Sequence, residues 1–92
     1  MSHAVRNSKR LIHRIRRIRG QVNAIERALE GGLACDQVLQ RITACRGAID
    51  GLLSQVLKDH VRFHIIEGSR HKGADPRDAG REILSVIEMY LR

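Results

Sequence analysis

Aromatic side chains are almost missing from this chain: of 92 residues only Phe63 and Tyr90 carry a benzene-type ring, and tryptophan is absent. The apolar content is instead isoleucine, leucine, valine and alanine, which suits helix packed on helix. Long apolar runs are missing too, since none approaches the ~18–20 residues a membrane span requires. A basic start with no apolar stretch after it is not a secretory signal. The expectation is therefore a cytoplasmic protein with no membrane partner. There are two cysteines, Cys35 and Cys45. Ten residues apart on one helix they would stand ~15 Å from each other, well beyond the ~7 Å Cα limit for a bridge, so both are expected as free thiols. Acid is missing from the first twenty residues, which hold Arg6, Lys9, Arg10, Arg14, Arg16, Arg17 and Arg19. Those seven charges equal the net charge of +7, so the rest of the chain sums to zero. A neutral body with one basic arm reads as an electrostatic footprint for a polyanion, DNA before a membrane surface, with a solvated, solubilising helix face as the plainer alternative.

The apolar residues are patterned for helices. Leu11, Ile15, Ile18, Val22, Ile25 and Leu29 recur at alternating spacings of 4 and 3, a heptad seam. This predicts helix 1 over about residues 6–30, with the arginines on its outer faces and Gly31-Gly32 ending it. Val38, Ile42, Cys45, Ile49, Leu52 and Val56 repeat the same spacing and predict helix 2 over about 34–66. Such a helix is roughly 48 Å long at 1.5 Å per residue, too long for helix 1 to cover. Gly47 and Gly51 lie four apart on one of its faces, where a partner helix could approach closely. The polar stretch 67–75 reads as a linker. Asp75-Pro76 then opens helix 3, with Asp as N-cap and Pro at the first helical position. Ile83, Leu84, Ile87, Tyr90 and Leu91 give helix 3 an apolar face expected to pack back on the bundle. No strand pattern, repeat or low-complexity segment occurs, and the helices are too long for a helix-turn-helix unit. A single all-α domain over residues 1–92 is expected. A chain this small has a thin core and gains from oligomerising.

Three residues stand out chemically. His60 and His64, at i and i+4, project from the same helix face and can grip one ion. Cys35 precedes His60 by 25 residues, roughly 37 Å along a straight helix. If the three form one site, the thiol must come from a neighbouring subunit or the helix must fold back. His3 in the opening Met-Ser-His can chelate together with the terminal amine. One thiolate with several nitrogen donors suits nickel, cobalt, zinc or copper, and ligand type alone does not choose among them. Read singly, each has a plainer role: a lone thiol is more often inert, a helical histidine exposed, a chain start frayed. Cys45 falls mid-seam and reads as core; His13 and His71 are not assigned to the site. No Gly-rich phosphate loop, no His-Glu-x-x-His and no nucleophile beside a base is present, so no enzyme is expected.

Two stretches carry a recognisable pattern: Arg-Ile-Arg-Arg-Ile-Arg-Gly-Gln-Val at 14–22, and Val-Leu-Gln-Arg-Ile-Thr-Ala-Cys-Arg-Gly-Ala at 38–48 followed by Gly51-Leu52. Both resemble the CsoR/RcnR family of metal-responsive transcriptional repressors, and the likeness spans roughly residues 3–66. The resemblance implies a three-helix subunit in which long antiparallel helices 1 and 2 form an intersubunit four-helix bundle, assembled as a dimer of dimers. It implies a homotetramer that binds double-stranded operator DNA in the metal-free state through basic residues of helix 1. Here those would be Arg14 and Arg17, supported by Arg10, Arg16 and Arg19. Inducer binding would release the DNA and derepress an efflux gene. Copper-sensing members carry Cys-His-Cys, and His64 stands at the last of those positions. Nickel/cobalt sensors carry His-Cys-His-His, matched here by His3, Cys35, His60 and His64, so Ni(II) or Co(II) is the expected inducer. Phe63 departs from members that have an acid before the last histidine. Formaldehyde-sensing members typically have an N-terminal proline and lack the second histidine, where this chain has Ser2, His3 and His64. The alternatives are formaldehyde or another electrophile, or copper or zinc, sensed through Cys35 on the same scaffold. Outside that class stands a helical oligomerisation module or metal buffer with no DNA role.

Overall fold

The computed structural model of the protein describes Val5, residues 8–71 and residues 73–91. Helix α1 covers Ser8–Glu30, α2 covers Cys35–Asp59 and α3 covers Pro76–Tyr90. A π-helix, His60–Ile66, follows α2 directly, and a 3₁₀ turn, Gly68–Arg70, follows that. No strand occurs among the described residues. The described residues form two compact units, 8–55 and, with Val5, 56–71 and 73–91.

The first unit is an antiparallel hairpin of α1 and α2. Gly32 makes the reversal possible, with φ at +71°, a left-handed conformation that costs residues with a Cβ. The Leu33 amide donates to the Ala28 carbonyl at 2.9 Å and the Gly32 amide to the Leu29 carbonyl at 3.3 Å. These are the two bonds of a Schellman cap, and they satisfy carbonyls left over at the end of α1. Leu33 and Ala28 line the same shallow recess beside Arg41 of α2.

The heptad seam divides in two. Leu11 is buried and Ile18 and Ile25 are half-buried, whereas Ile15, Val22 and Leu29 are 48%, 48% and 63% exposed. On α2, Val38 and Cys45 are buried, whereas Ile42 and Ile49 are exposed. The inward row of α1 therefore runs Leu11, Arg14, Ile18, Gln21, Ile25, Ala28, again at alternating spacings of 3 and 4. Two polar residues occupy it. Gln21 has its Oε1 buried without a hydrogen-bond partner among the described residues. Arg14 is half-buried, so the expectation that all the arginines lie on outer faces fails at this position.

In the second unit α-helix does not persist to residue 66 as expected. It gives way after Asp59 to i→i+5 bonding, with the Glu67 amide still donating to the Arg62 carbonyl at the end of the π-helix. Asp59 keeps helical angles (φ −66°, ψ −41°), so the change is one of hydrogen-bond register rather than a break. Leu57, Asp59 and Ile65 are buried. Helix α3 starts as expected: the Asp75 side chain accepts from the Arg77 amide at 3.0 Å, with Pro76 at the first position. It packs on the π-helix and the 3₁₀ turn. Its expected apolar face also divides, for Ile83 and Val86 are half-buried while Leu84, Ile87, Tyr90 and Leu91 are exposed.

Candidate metal centre and nucleic-acid face

His60 and His64 both lie on the π-helix and both are half-buried. Residues four apart share one face of a helix. The two rings accordingly sit with centroids 5.5 Å apart, tilted by 41°. That is close to the spacing of two imidazoles sharing an ion with metal–nitrogen bonds of about 2.0–2.1 Å. The donor pair fits a late first-row metal, which takes imidazole readily. Asp59, buried beside His60 in sequence, was not marked out by the sequence pattern.

Cys35 opens α2 with an exposed thiol, and Cys45 is a buried free thiol, in line with its reading as core. His3 lies outside the described residues. Among the described residues no three His, Cys, Asp or Glu side chains come together to hold a metal. Within one chain, then, the structure joins His60 to His64. A cleft of about 420 Å³ opens beside His64, and His71, Asp75, Asp78 and Glu82 also line it. His71 lies outside the ligand set expected from the sequence. The structure turns it into that cleft with its Nδ1 hydrogen-bonded to the Gly68 carbonyl oxygen; nothing in the linker's composition signals this. Asp75 and Asp78 are paired with Arg77 and Arg81 at 3.4 and 3.0 Å.

The basic arm is α1 itself. Arg10, Arg16, Arg17 and Arg19 are exposed along it, with no acidic residue in its first turn. Long cationic side chains on a rigid helix suit phosphate contacts, which position a protein on a duplex without reading its sequence. Arg14 differs. Its Nη2 stands 2.9 Å from the place a Cβ on Gly51 would occupy.

An all-helical chain with a basic helix and a pair of converging imidazoles has the parts of a metal-responsive regulator of DNA. Residues 7–89 match the family described as metal-sensitive transcriptional repressor, and the chain belongs to that family, the CsoR/RcnR repressors. It is 44% identical over its full length to an uncharacterized protein in the bioA 5′ region of Serratia marcescens, all of which it covers. It is 37% identical to a transcriptional repressor RcnR homolog of Escherichia coli O139:H28, again over the whole of both chains. Among solved structures it is similar to a glutamate-to-histidine variant of the formaldehyde-responsive regulator FrmR from Salmonella enterica serovar Typhimurium. That likeness has a TM-score of 0.71 and 40% identity, covering 99% of this chain and 97% of the other. The family acts on DNA as repressors and not as enzymes. No helix among the described residues is long and apolar enough to cross a membrane.

Proposed function

We propose that this repressor binds operator DNA in its metal-free form and releases it on binding nickel(II) or cobalt(II), derepressing a metal efflux gene. The observation that carries the reading is the His60–His64 pair, its rings 5.5 Å apart on the π-helix. The full-length likeness to an RcnR homolog supports it. His60 and His64 of one subunit bind the ion, Cys35 of a neighbouring subunit adds a thiolate, and His3 with the terminal amine closes over it. A shared site of this kind needs an assembly, and the exposed rows Ile15, Val22, Leu29 and Ile42, Ile49 suit a four-helix bundle between two chains and a dimer of such dimers. Drawing in the N-terminal arm repositions the start of α1, where the arginines lie. DNA and inducer then weaken each other by the same factor, typically 1–3 kcal/mol of coupling.

The test is a titration of metal-free, reduced protein with nickel(II), followed in the thiolate charge-transfer region, with Cys35→Ala as the control. One equivalent per subunit and a band lost in the variant are expected. No saturable band would sink the nickel reading. A second reading rests on the exposed Cys35 thiol and on the likeness to a formaldehyde-responsive regulator: Cys35 acts as a nucleophile toward an electrophile. Intact mass after formaldehyde treatment distinguishes the two, since a fast Cys35 adduct that releases DNA would replace the metal reading.

A further inference from the structure

Arg14 occupies a position no phosphate-binding arginine needs. It falls in the inward row of α1 between Leu11 and Ile18, is half-buried, and has no ion-pair partner among the described residues. Its Nη2 lies 2.9 Å, and its Cζ 4.0 Å, from where a Cβ on residue 51 would stand. Gly51 is inside α2, where glycine is unfavourable unless something gains from the missing side chain. Gly47, one turn earlier, has nothing within 4 Å of a Cβ position. Of the two glycines on that face, only Gly51 receives a neighbour, and the neighbour is the cationic tip of Arg14.

We propose that Gly51 is a seat for the Arg14 guanidinium, and that the seated arginine is withheld from DNA. The proposal rests on the reading of α1 as the DNA-binding face. Among the described residues no carboxylate pairs with it, so the seat is held by shape and Arg14 exchanges between α2 and a phosphate. Arg10, Arg16, Arg17 and Arg19 stay exposed throughout. Seating thus sets how many cations α1 offers, and any change that closes or opens the space over Gly51 adjusts operator affinity.

Gly51→Ala tests this without removing a charge. The added methyl meets only the end of a flexible side chain, and alanine is the better helix former, so the fold survives; circular dichroism checks it. Two readouts are needed. In the unchanged protein Arg14 should react with phenylglyoxal several-fold more slowly than Arg10, Arg16, Arg17 and Arg19, mapped by peptide mass; in Gly51→Ala it should match them. Equal reactivity in the unchanged protein overturns the seat. The second readout is binding to a labelled duplex of the DNA upstream of the chain's own coding sequence. Gly51→Ala should bind roughly threefold to tenfold more tightly at low salt, with a log–log salt slope steeper by about 0.9, the value of one added phosphate contact. In an Arg14→Ala background the same change should do nothing. An affinity for Gly51→Ala at or below that of the unchanged protein overturns the withholding. If Arg17→Ala also binds the duplex like the unchanged protein, the DNA-face reading itself has failed, whereas a loss for Arg17→Ala beside an unresponsive Gly51→Ala isolates the failure to the seat.

Discussion

At the scale of single residues, chemistry follows from which groups the backbone brings together. The pairing of His60 with His64 was legible in their spacing, because residues four apart meet on a helix of either kind. The π register was not legible. It depends on which carbonyl each amide chooses, and the stretch His-Val-Arg-Phe-His-Ile-Ile has no compositional mark that separates the two choices. Both imidazoles belong to the proposed ligand set, so each should matter. His60→Ala and His64→Ala should each weaken nickel(II) binding by about tenfold or more, a loss of about 1.4 kcal/mol or more, measured by competition with a chelator. His71→Ala, whose Nδ1 is engaged with the Gly68 carbonyl, should change it less than either. Arg14 carries a different lesson. Its place at the 3-and-4 spacing with Leu11 and Ile18 could have been read from the sequence, but a charged residue in a seam is discounted unless a partner with no side chain is seen opposite. Among the exposed arginines, Arg17→Ala should lower the salt slope of DNA binding by about one.

At the scale of elements, the sequence was most informative where the chain must stop or turn. Gly31-Gly32 and Asp75-Pro76 mark boundaries for reasons local to the backbone, and both stand where expected. Gly32→Ala should destabilise the hairpin by about 1–2 kcal/mol, the cost of a Cβ at positive φ. Asp75→Ala should cost about 1 kcal/mol through loss of the cap on the Arg77 amide. The exposed Asp78–Arg81 pair at 3.0 Å should contribute little, so Asp78→Ala stays within about 0.5 kcal/mol of the unchanged protein. Denaturant midpoints compare the three. The apolar faces were less legible. A 3-and-4 repeat tells which residues avoid water, yet it does not tell which neighbour covers them. On α1 and α2 the repeat predicts one seam, and the structure has two interleaved half-seams. On α3 the same ambiguity put Leu84 and Ile87 inside when they lie exposed.

At the scale of the molecule, the outward half-seams are the largest unfinished business of the fold. Ile15, Val22 and Leu29 on α1 and Ile42 and Ile49 on α2 recur every seventh residue, the repeat a coiled partner requires. They are between two-fifths and two-thirds exposed in the single chain. Covering such a residue gains about 1 kcal/mol, a fraction of the 1.5–3 kcal/mol for complete burial. Five per chain on two chains give on the order of 10 kcal/mol, comparable to the 4–15 kcal/mol that association loses in freedom of motion. An assembly balanced this closely is sensitive to one charge at its centre. Sedimentation should therefore find the unchanged protein at a multiple of 10.4 kDa, with a melting temperature that rises with protein concentration. Val22→Glu, at the middle of its row, should sediment as single chains and melt independently of concentration. Because the thiolate and the imidazoles are assigned to different subunits, the same variant should also lose the thiolate–nickel band while keeping every proposed ligand. A monomeric Val22→Glu protein that retains the band would place Cys35 and the histidines on one ion within one chain, and the shared site would be wrong.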